Sequence, residues 1–370
     1  MTKQDLSTPS ILVDLDALER NIRNAQELCN RHGKQLWPMT KTHKSSAIIR
    51  MQLQAGAAGV LAGTLDECEA AADEGASRVM YAYPAASPSS LRRLTALSKR
   101  CAVTARIDGK DNARLMDEAA RIAHVQMDYT IIINSGLNRF GIPSAETGAF
   151  AAWLGGCKNL RFCGISTHPG QVYAGSGADH VRACAADESA AVRTAVESLR
   201  GHGFEPEMIG SGSTPTLKPS VGDPLINQYH PGNYVFNDVI QMGLGAAKEK
   251  DCALTILATV IAHPREGIWM IDAGSKCFGL DQGAHGNTDI KGFGRVKGHP
   301  SLFVAGLSEE VGKVTSTDDS CLQVGDRLEI IPNHACVPAN MTNWLIGCRA
   351  DQAVQALEVN IRENSRNPML

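Results

Sequence analysis

Trp37-Pro38-Met39-Thr40-Lys41-Thr42-His43-Lys44 follows the start of a short, mostly apolar run over 35–39 that reads as a strand, and Ser45-Ser46 then opens a helical pattern. Lys41 therefore falls where a strand of a parallel sheet meets its following loop, the end of such sheets at which chemistry is placed. A lysine desolvated there can lose its proton and act as an amine nucleophile. Taken alone, the stretch reads as readily as a basic loop with two solvated lysines. The rest of the chain reverses that balance.

Downstream, strand-like runs recur at 58–61, 78–83, 101–107, 127–134, 160–167, 207–209 and 226–230. Helical patterns separate most of them. One opens at Thr64 with Glu67 at capping-box spacing, and others cover about 91–99, 113–123, 145–154 and 179–199. The last two runs are joined by a long loop containing Pro and Gly. Eight strands with helical crossovers predict a (β/α)8 TIM-type barrel over 19–243 rather than a doubly wound sheet. No GxGxxG follows a strand, which argues against a dinucleotide fold. Upstream, 11–15 reads as a strand, Asp16 and Glu19 as a capping box, and Leu18, Ile22, Ala25 and Cys29 as one helix face that stops near Gly33. Residues 1–18 precede the barrel and are expected to join the second domain. After about Gly243 the runs 255–262, 267–271, 302–307 and 327–331 are short, and only a weak helical pattern appears, at 351–357. This predicts a β-rich C-terminal domain over 244–370.

A length of 370 residues suits one large domain and a smaller one. A formal net charge of -3 offers no basic field for nucleic acid. No run of about 18 apolar residues occurs, so no membrane span is expected, and the start lacks the apolar core of a signal peptide. The 11 cysteines are odd in number and contain no CxxC pair, which fits reduced thiols in a cytoplasmic enzyme.

Several polar residues fall at strand ends on one side of such a barrel. They are Lys41 after the first strand, Asn138-Arg139 after the fifth, His168 ending the sixth, Gly210-Ser211-Gly212-Ser213-Thr214 after the seventh and Pro231-Gly232-Asn233 after the eighth. A Gly/Ser/Thr loop after strand seven, paired with Gly232-Asn233, can present amides and hydroxyls to a phosphate; the plain alternative is a flexible turn. A phosphate site beside a strand-end lysine points to pyridoxal phosphate held as a Schiff base. His168 could then stack on the pyridine ring or be a satisfied core histidine. Arg139 could donate to the ring oxygen O3′ or form a structural salt bridge. In the second domain, His334 and Cys336 stand at i and i+2 and would project from one face of an extended segment. Imidazole and thiolate together favour zinc, although a buried thiol beside a structural histidine has the same spacing. Gly274-Ser275-Lys276, after Asp272, reads as a hinge or an active-site edge, and Asp272 reads equally as structural.

These segments together resemble the alanine-racemase-type (fold type III) pyridoxal-phosphate enzymes, and more narrowly their D-serine dehydratase / D-threonine aldolase branch. The resemblance rests on Thr8-Pro9-Ser10, Lys41-Thr42-His43-Lys44, Gly136-Leu137-Asn138-Arg139, Gly164-Ile165-Ser166-Thr167-His168, Gly212-Ser213-Thr214-Pro215-Thr216, Pro231-Gly232-Asn233-Tyr234-Val235-Phe236, Asp272-Ala273-Gly274-Ser275-Lys276, Leu307-Ser308-Glu309-Glu310 and Pro332-Asn333-His334-Ala335-Cys336, in family order across almost the whole chain. It implies that Lys41 carries the cofactor, Arg139 meets O3′ and His168 lies against the ring. It further implies that Ser213, Thr214, Gly232 and Asn233 hold the phosphate, that His334 and Cys336 ligate a divalent metal (zinc or manganese), and that the protein is a homodimer. Val311 and Gln171 stand where relatives often carry histidine, and Asn134 where an acid often lies, which puts the substrate in question more than the cofactor.

The expected activity is a metal-assisted lyase on a D-β-hydroxy amino acid of the D-serine or D-3-hydroxyaspartate type, giving a 2-oxo acid and ammonia. In the nearest rival, the same site cleaves Cα–Cβ in a retro-aldol reaction to glycine and an aldehyde. H-x-C is commoner among the dehydratases of this branch, by the resemblance, and H-x-D among the aldolases. A non-catalytic pyridoxal-phosphate protein, usually a lone barrel, is the rival of another class.

Overall fold

The computed structural model describes residues 1–283, 287 and 289–362. Its first strand, β1 (Ser10–Asp14), stands apart from the eight that follow: β2 (Gln35–Leu36), β3 (Val60–Ala62), β4 (Arg78–Tyr81), β5 (Ala102–Ile107), β6 (Met127–Ile132), β7 (Leu160–Ser166), β8 (Met208–Ser211) and β9 (Gln228–Tyr229). These eight pair in parallel in the order β2-β9-β8-β7-β6-β5-β4-β3. A parallel Met39–Leu61 bridge joins the two ends and closes the barrel. The strands alternate with α1 (Leu15–Arg31), α2 (Ser46–Gln54), α3 (Leu65–Asp73), α4 (Pro88–Leu97), α5 (Lys110–Ala123), α6 (Thr147–Leu154), α7 (Gly177–Gly201) and α8 (Thr214–Ser220). Covered on both faces, the strands bury nearly every residue, as Val60, Leu61 and Ala62 of β3 do. Each helix buries one stripe; on α7 Val181, Cys184, Ala185, Glu188, Val192, Ala195, Val196 and Leu199 recur at helical spacing.

The second sheet contains β1 with β10 (Leu254–Arg265), β11 (Ile268–Ile271), β12 (Gly294–Val296), β13 (Leu302–Leu307), β14 (Gly312–Ser316), β15 (Arg327–Pro332), β16 (Trp344–Arg349) and β17 (Gln352–Glu358). Its order is β11-β14-β13-β12-β15-β10-β1-β16-β17, with β1 antiparallel to β10 and parallel to β16. One buried apolar cluster runs from α1 through the barrel into this sheet, so the two units share a core.

Three local expectations are corrected. The first helix opens at Leu15, because the Asp14 carboxylate accepts the Ala17 amide at 3.0 Å; Asp16 and Glu19 instead pair with Arg349. The weak helical pattern at 351–357 is strand β17, whose ladder with β16 outweighs its local preference. The loop after the seventh barrel strand contains α8, started by the reciprocal Ser213–Thr216 capping box. Lys41 lies just past its strand, in a single 3-10 turn over Thr40–Thr42.

All eleven cysteines are unpaired. Among the described residues no helix is long and apolar enough to cross a membrane. Gly164 has a φ of +147°, and a Cβ there would fall 1.9 Å from the Met208 carbonyl oxygen of the neighbouring strand. Gly164→Ala is therefore expected to lower the unfolding free energy by about 2 kcal/mol, measured by denaturant titration. An unchanged midpoint would show that β7 and β8 can part freely.

Candidate active site

The C-terminal ends of the barrel strands open into one pocket, and the second domain supplies one wall of it. Lys41, Arg139, His168, Ser213, Gly232, Asn233, His334 and Cys336 all line this pocket. Thr214 stands one residue outside the lining, and its hydroxyl accepts the Tyr234 amide at 3.0 Å.

The two lysines of the opening motif have different surroundings. The Lys44 ammonium is buried and donates to Glu67 Oε1 at 2.6 Å. Glu67 Oε2 accepts the Thr40 hydroxyl at 2.6 Å and the Gly63 amide at 2.8 Å. One carboxylate on α3 thus fastens both flanks of Lys41. Gly63 packs so closely that a Cβ would lie 2.9 Å from the Lys41 Cβ. Lys41 itself faces the pocket.

Two arginines line the same space. Arg139 is exposed, with its guanidinium over the rings of Tyr83 (5.9 Å) and Phe140 (5.3 Å). Arg106, which the motif reading misses, is 6% exposed and donates to Ser166 Oγ at 2.8 Å and the Ala82 carbonyl at 3.1 Å. Burial pulls it down to about 10, so it stays charged at neutral pH. Its signal in the sequence is a lone charged residue within the 102–107 run. Among the described residues no Asp or Glu lines the pocket. Three cationic side chains without a lining carboxylate suit an anionic ligand.

His168 Nδ1 lies 3.3 Å from the Gly212 carbonyl, which places its proton on Nδ1. Burial, then Lys41 and Arg139, hold the imidazole well below its ordinary value, so it is a neutral ring. His230, also unforeseen, lines the pocket; burial and Arg106 lower it to about 3, and its Nδ1 has no partner.

The loops after β8 and β9 form a cradle. Ser213 caps α8, and Gly232 packs so tightly that a Cβ would meet Thr42 Oγ1 at 3.0 Å and the Met39 carbonyl at 3.2 Å. Among the described residues the backbone amides of Gly232 and Asn233 donate to no other group and can donate to an oxyanion. Lysine, free backbone amides, hydroxyls and a neutral pocket-lining imidazole fit pyridoxal phosphate.

His334 and Cys336 lie at the turn from β15 into a helix over Cys336–Met341, not on extended backbone, since Ala335 has φ −66° and ψ −24°. The turn still brings the two side chains together. His334 Nδ1 meets Asp281 Oδ2 at 3.1 Å, which leaves Nε2 for an ion, an arrangement common behind metal-bound histidines. Burial works against the Cys336 thiolate, but His334, Thr42 and Lys41 outweigh it and hold the thiol below its ordinary value. Among the described residues no set of three or more His, Cys, Asp or Glu is placed to hold a metal ion together. A divalent ion would have two donors here and open positions for water and substrate. Asp281 stands 53 residues from His334, so no spacing rule could reveal it.

Other singled-out residues have structural duties. Gln171 donates to the Ser135 carbonyl at 2.7 Å. Asn134 Oδ1 accepts the Gly136 and Asn138 amides and shapes the Arg139 loop. Val311 closes the β13–β14 turn through the Ser308 amide. Asp272 accepts the Thr8 hydroxyl and the Thr259 amide, and Lys276 pairs with Glu310 on the surface.

Residues 13–238 match the alanine racemase N-terminal domain family, and residues 253–348 a serine dehydratase domain. The chain is 29% identical to the D-threo-3-hydroxyaspartate dehydratase of Delftia sp. (strain HT23), over 95% of this chain and 97% of that protein. A solved structure of a mutant of D-threo-3-hydroxyaspartate dehydratase in a metal-free form aligns at a TM-score of 0.90, with 29% identity, over 97% of this chain and 98% of that one. The 3-hydroxy-D-aspartate aldolase of Paracoccus denitrificans (strain Pd 1222) is 28% identical, over 98% of this chain and 94% of that protein. The crystal structure of D-threonine aldolase from Filomicrobium marinum aligns at 0.88, with 27% identity, over 98% of this chain and 97% of that one.

Proposed function

Since the chain belongs to the alanine racemase N-terminal domain family, we propose that it is a pyridoxal-phosphate-dependent lyase on D-β-hydroxy amino acids, a dehydratase giving a 2-oxo acid and ammonia. The observation that carries this reading is that Lys41 and the His334/Cys336 pair open into one pocket with no lining carboxylate among the described residues. Bound there, pyridoxal phosphate supplies an electron sink for the charge left at Cα, and a zinc or manganese ion supplies Lewis acidity toward the β-hydroxyl. Lys41 would carry the cofactor through its amine and, as a free amine, would serve as the base for the Cα proton. Ser213, Thr214, Gly232 and Asn233 hold the phosphate. Arg139 is assigned to O3′, His168 lies against the ring as neutral imidazole, and buried Arg106 adds fixed positive charge. His334 and Cys336 hold the divalent ion where the β-hydroxyl would lie. A non-catalytic carrier would have no use for that pair beside the lysine. We place the protein in the cytoplasm as a homodimer. Eleven unpaired cysteines support the compartment, and the family resemblance supports the dimer.

The aldolases among the relatives favour a second reading, retro-aldol cleavage at the same residues. Product analysis with D-serine, D-threonine and D-3-hydroxyaspartate, with and without EDTA, separates the two. The expected result is a 2-oxo acid plus ammonia, lost on chelation and restored by the ion. Glycine plus an aldehyde would establish the second reading. Turnover that survives complete metal removal would refute the role given to His334 and Cys336.

A further inference from the structure

Behind the proposed phosphate loop, outside the pocket lining, stands a carboxyl group. Glu188 on α7 is fully buried, and its Oε1 accepts the Ser211 hydroxyl. The Gly212 amide and Thr216 hydroxyl also face it, while Oε2 has no hydrogen-bond partner. Those three residues bracket Ser213, which lines the pocket. The titratable groups around Glu188 are Asp223, Tyr229 and, one turn back on α7, Cys184; among the described residues no cation pairs with it. Burial pushes the carboxyl up to about 7, and Asp223 adds to the rise.

An ionised carboxylate buried directly behind a loop that holds a phosphate dianion repels that dianion through a poorly screened interior. A neutral carboxyl keeps its acceptor oxygen for Ser211 without that repulsion. We propose that Glu188 is the positioning residue of the phosphate loop, that it holds the loop as a neutral acid, and that cofactor binding therefore takes up a proton at this carboxyl. The inference rests on the reading of Ser213 and Thr214 as phosphate ligands.

The sign follows from linkage. When binding takes up a proton, affinity is full below the free protein's titration. It falls by up to tenfold per pH unit above it, until the titration of the bound form is reached. The test is cofactor affinity of wild type and Glu188→Gln by absorbance titration between about pH 6 and 9. The pH dependence of Lys41 and of the phosphate cancels in the ratio of the two dissociation constants. Glu188→Gln should match wild type at the acid end, and the wild-type constant should rise relative to it by about tenfold per unit above about pH 7. A ratio independent of pH, or a glutamine variant that binds weakly throughout, overturns the proposal. Independently of any variant, infrared difference spectra of the loaded wild-type protein should show a buried neutral carboxyl band at about pH 8, and its absence also overturns it. Failure of wild type to take up any cofactor would instead refute the pocket's reading, and the proposal with it.

Discussion

Replacing Lys41 by alanine is expected to cost about 10³-fold or more in turnover, together with loss of the lysine-linked absorbance of the bound cofactor. Two lysines in the motif could carry the cofactor, and the surroundings choose between them. Lys44 is 6% exposed with its ammonium held by Glu67 at 2.6 Å, so breaking that pair would leave a buried carboxylate without its cation. Lys41 faces the pocket with Arg139, His168, Cys336 and the cradle around it. Under the proposed assignment its removal deletes both the anchoring amine and the base for Cα, and no second lysine lines the pocket among the described residues. About 10³-fold corresponds to roughly 4 kcal/mol of transition-state stabilisation, within what a positioned base supplies. Steady-state rates and the absorbance spectrum of Lys41→Ala check this. Turnover within about tenfold of wild type, or an unaltered cofactor band, would move the linkage elsewhere.

The barrel was legible because parallel strands covered on both faces must be apolar runs, and their helices must carry a stripe; α7 and β6 show both patterns plainly. The second sheet was legible only in part. Strands β12, β14 and β16 are short and carry Gly and Lys or Arg among their apolar residues, and β17 lies at the sheet edge with a weakly helical pattern; such strands are specified by their neighbours' ladders more than by their own residues. At the site, strand-end logic brought forward residues that the chain's topology does gather in one pocket. What it could not show are contacts made across long stretches of chain. Glu67 reaches Lys44 over 23 residues, Asp281 reaches His334 over 53, and Arg106 reaches Ser166 over 60. Each is an ordinary charged residue in its own segment, and its meaning arises only from the partner that folding delivers.

Glu67→Gln is expected to destabilise the fold by about 3–5 kcal/mol, the usual result of removing one member of a buried ion pair. The Lys44–Glu67 pair has side chains 8% and 0% exposed. Without the carboxylate the Lys44 ammonium stays charged in a dry site or gives up its proton, and either is costly. Glutamine retains one acceptor oxygen, which cannot serve Thr40, Gly63 and Lys44 together. Lys44 adds a backbone demand, since its φ of +47° is left-handed and its carbonyl accepts the Ile361 amide at 3.0 Å. Losing the pair thus loosens the turn that carries Lys41 and, through Ile361, the end of the second sheet. Denaturant unfolding of Glu67→Gln, Lys44→Met and the double variant forms a cycle that isolates the pair. The double variant should recover a large part of the loss, because two neutral side chains leave no charge uncompensated. If Glu67→Gln unfolds within about 1 kcal/mol of wild type, the pair is effectively solvated, and the rigidity of the Lys41 turn must come from packing against Gly63 and Gly232 instead.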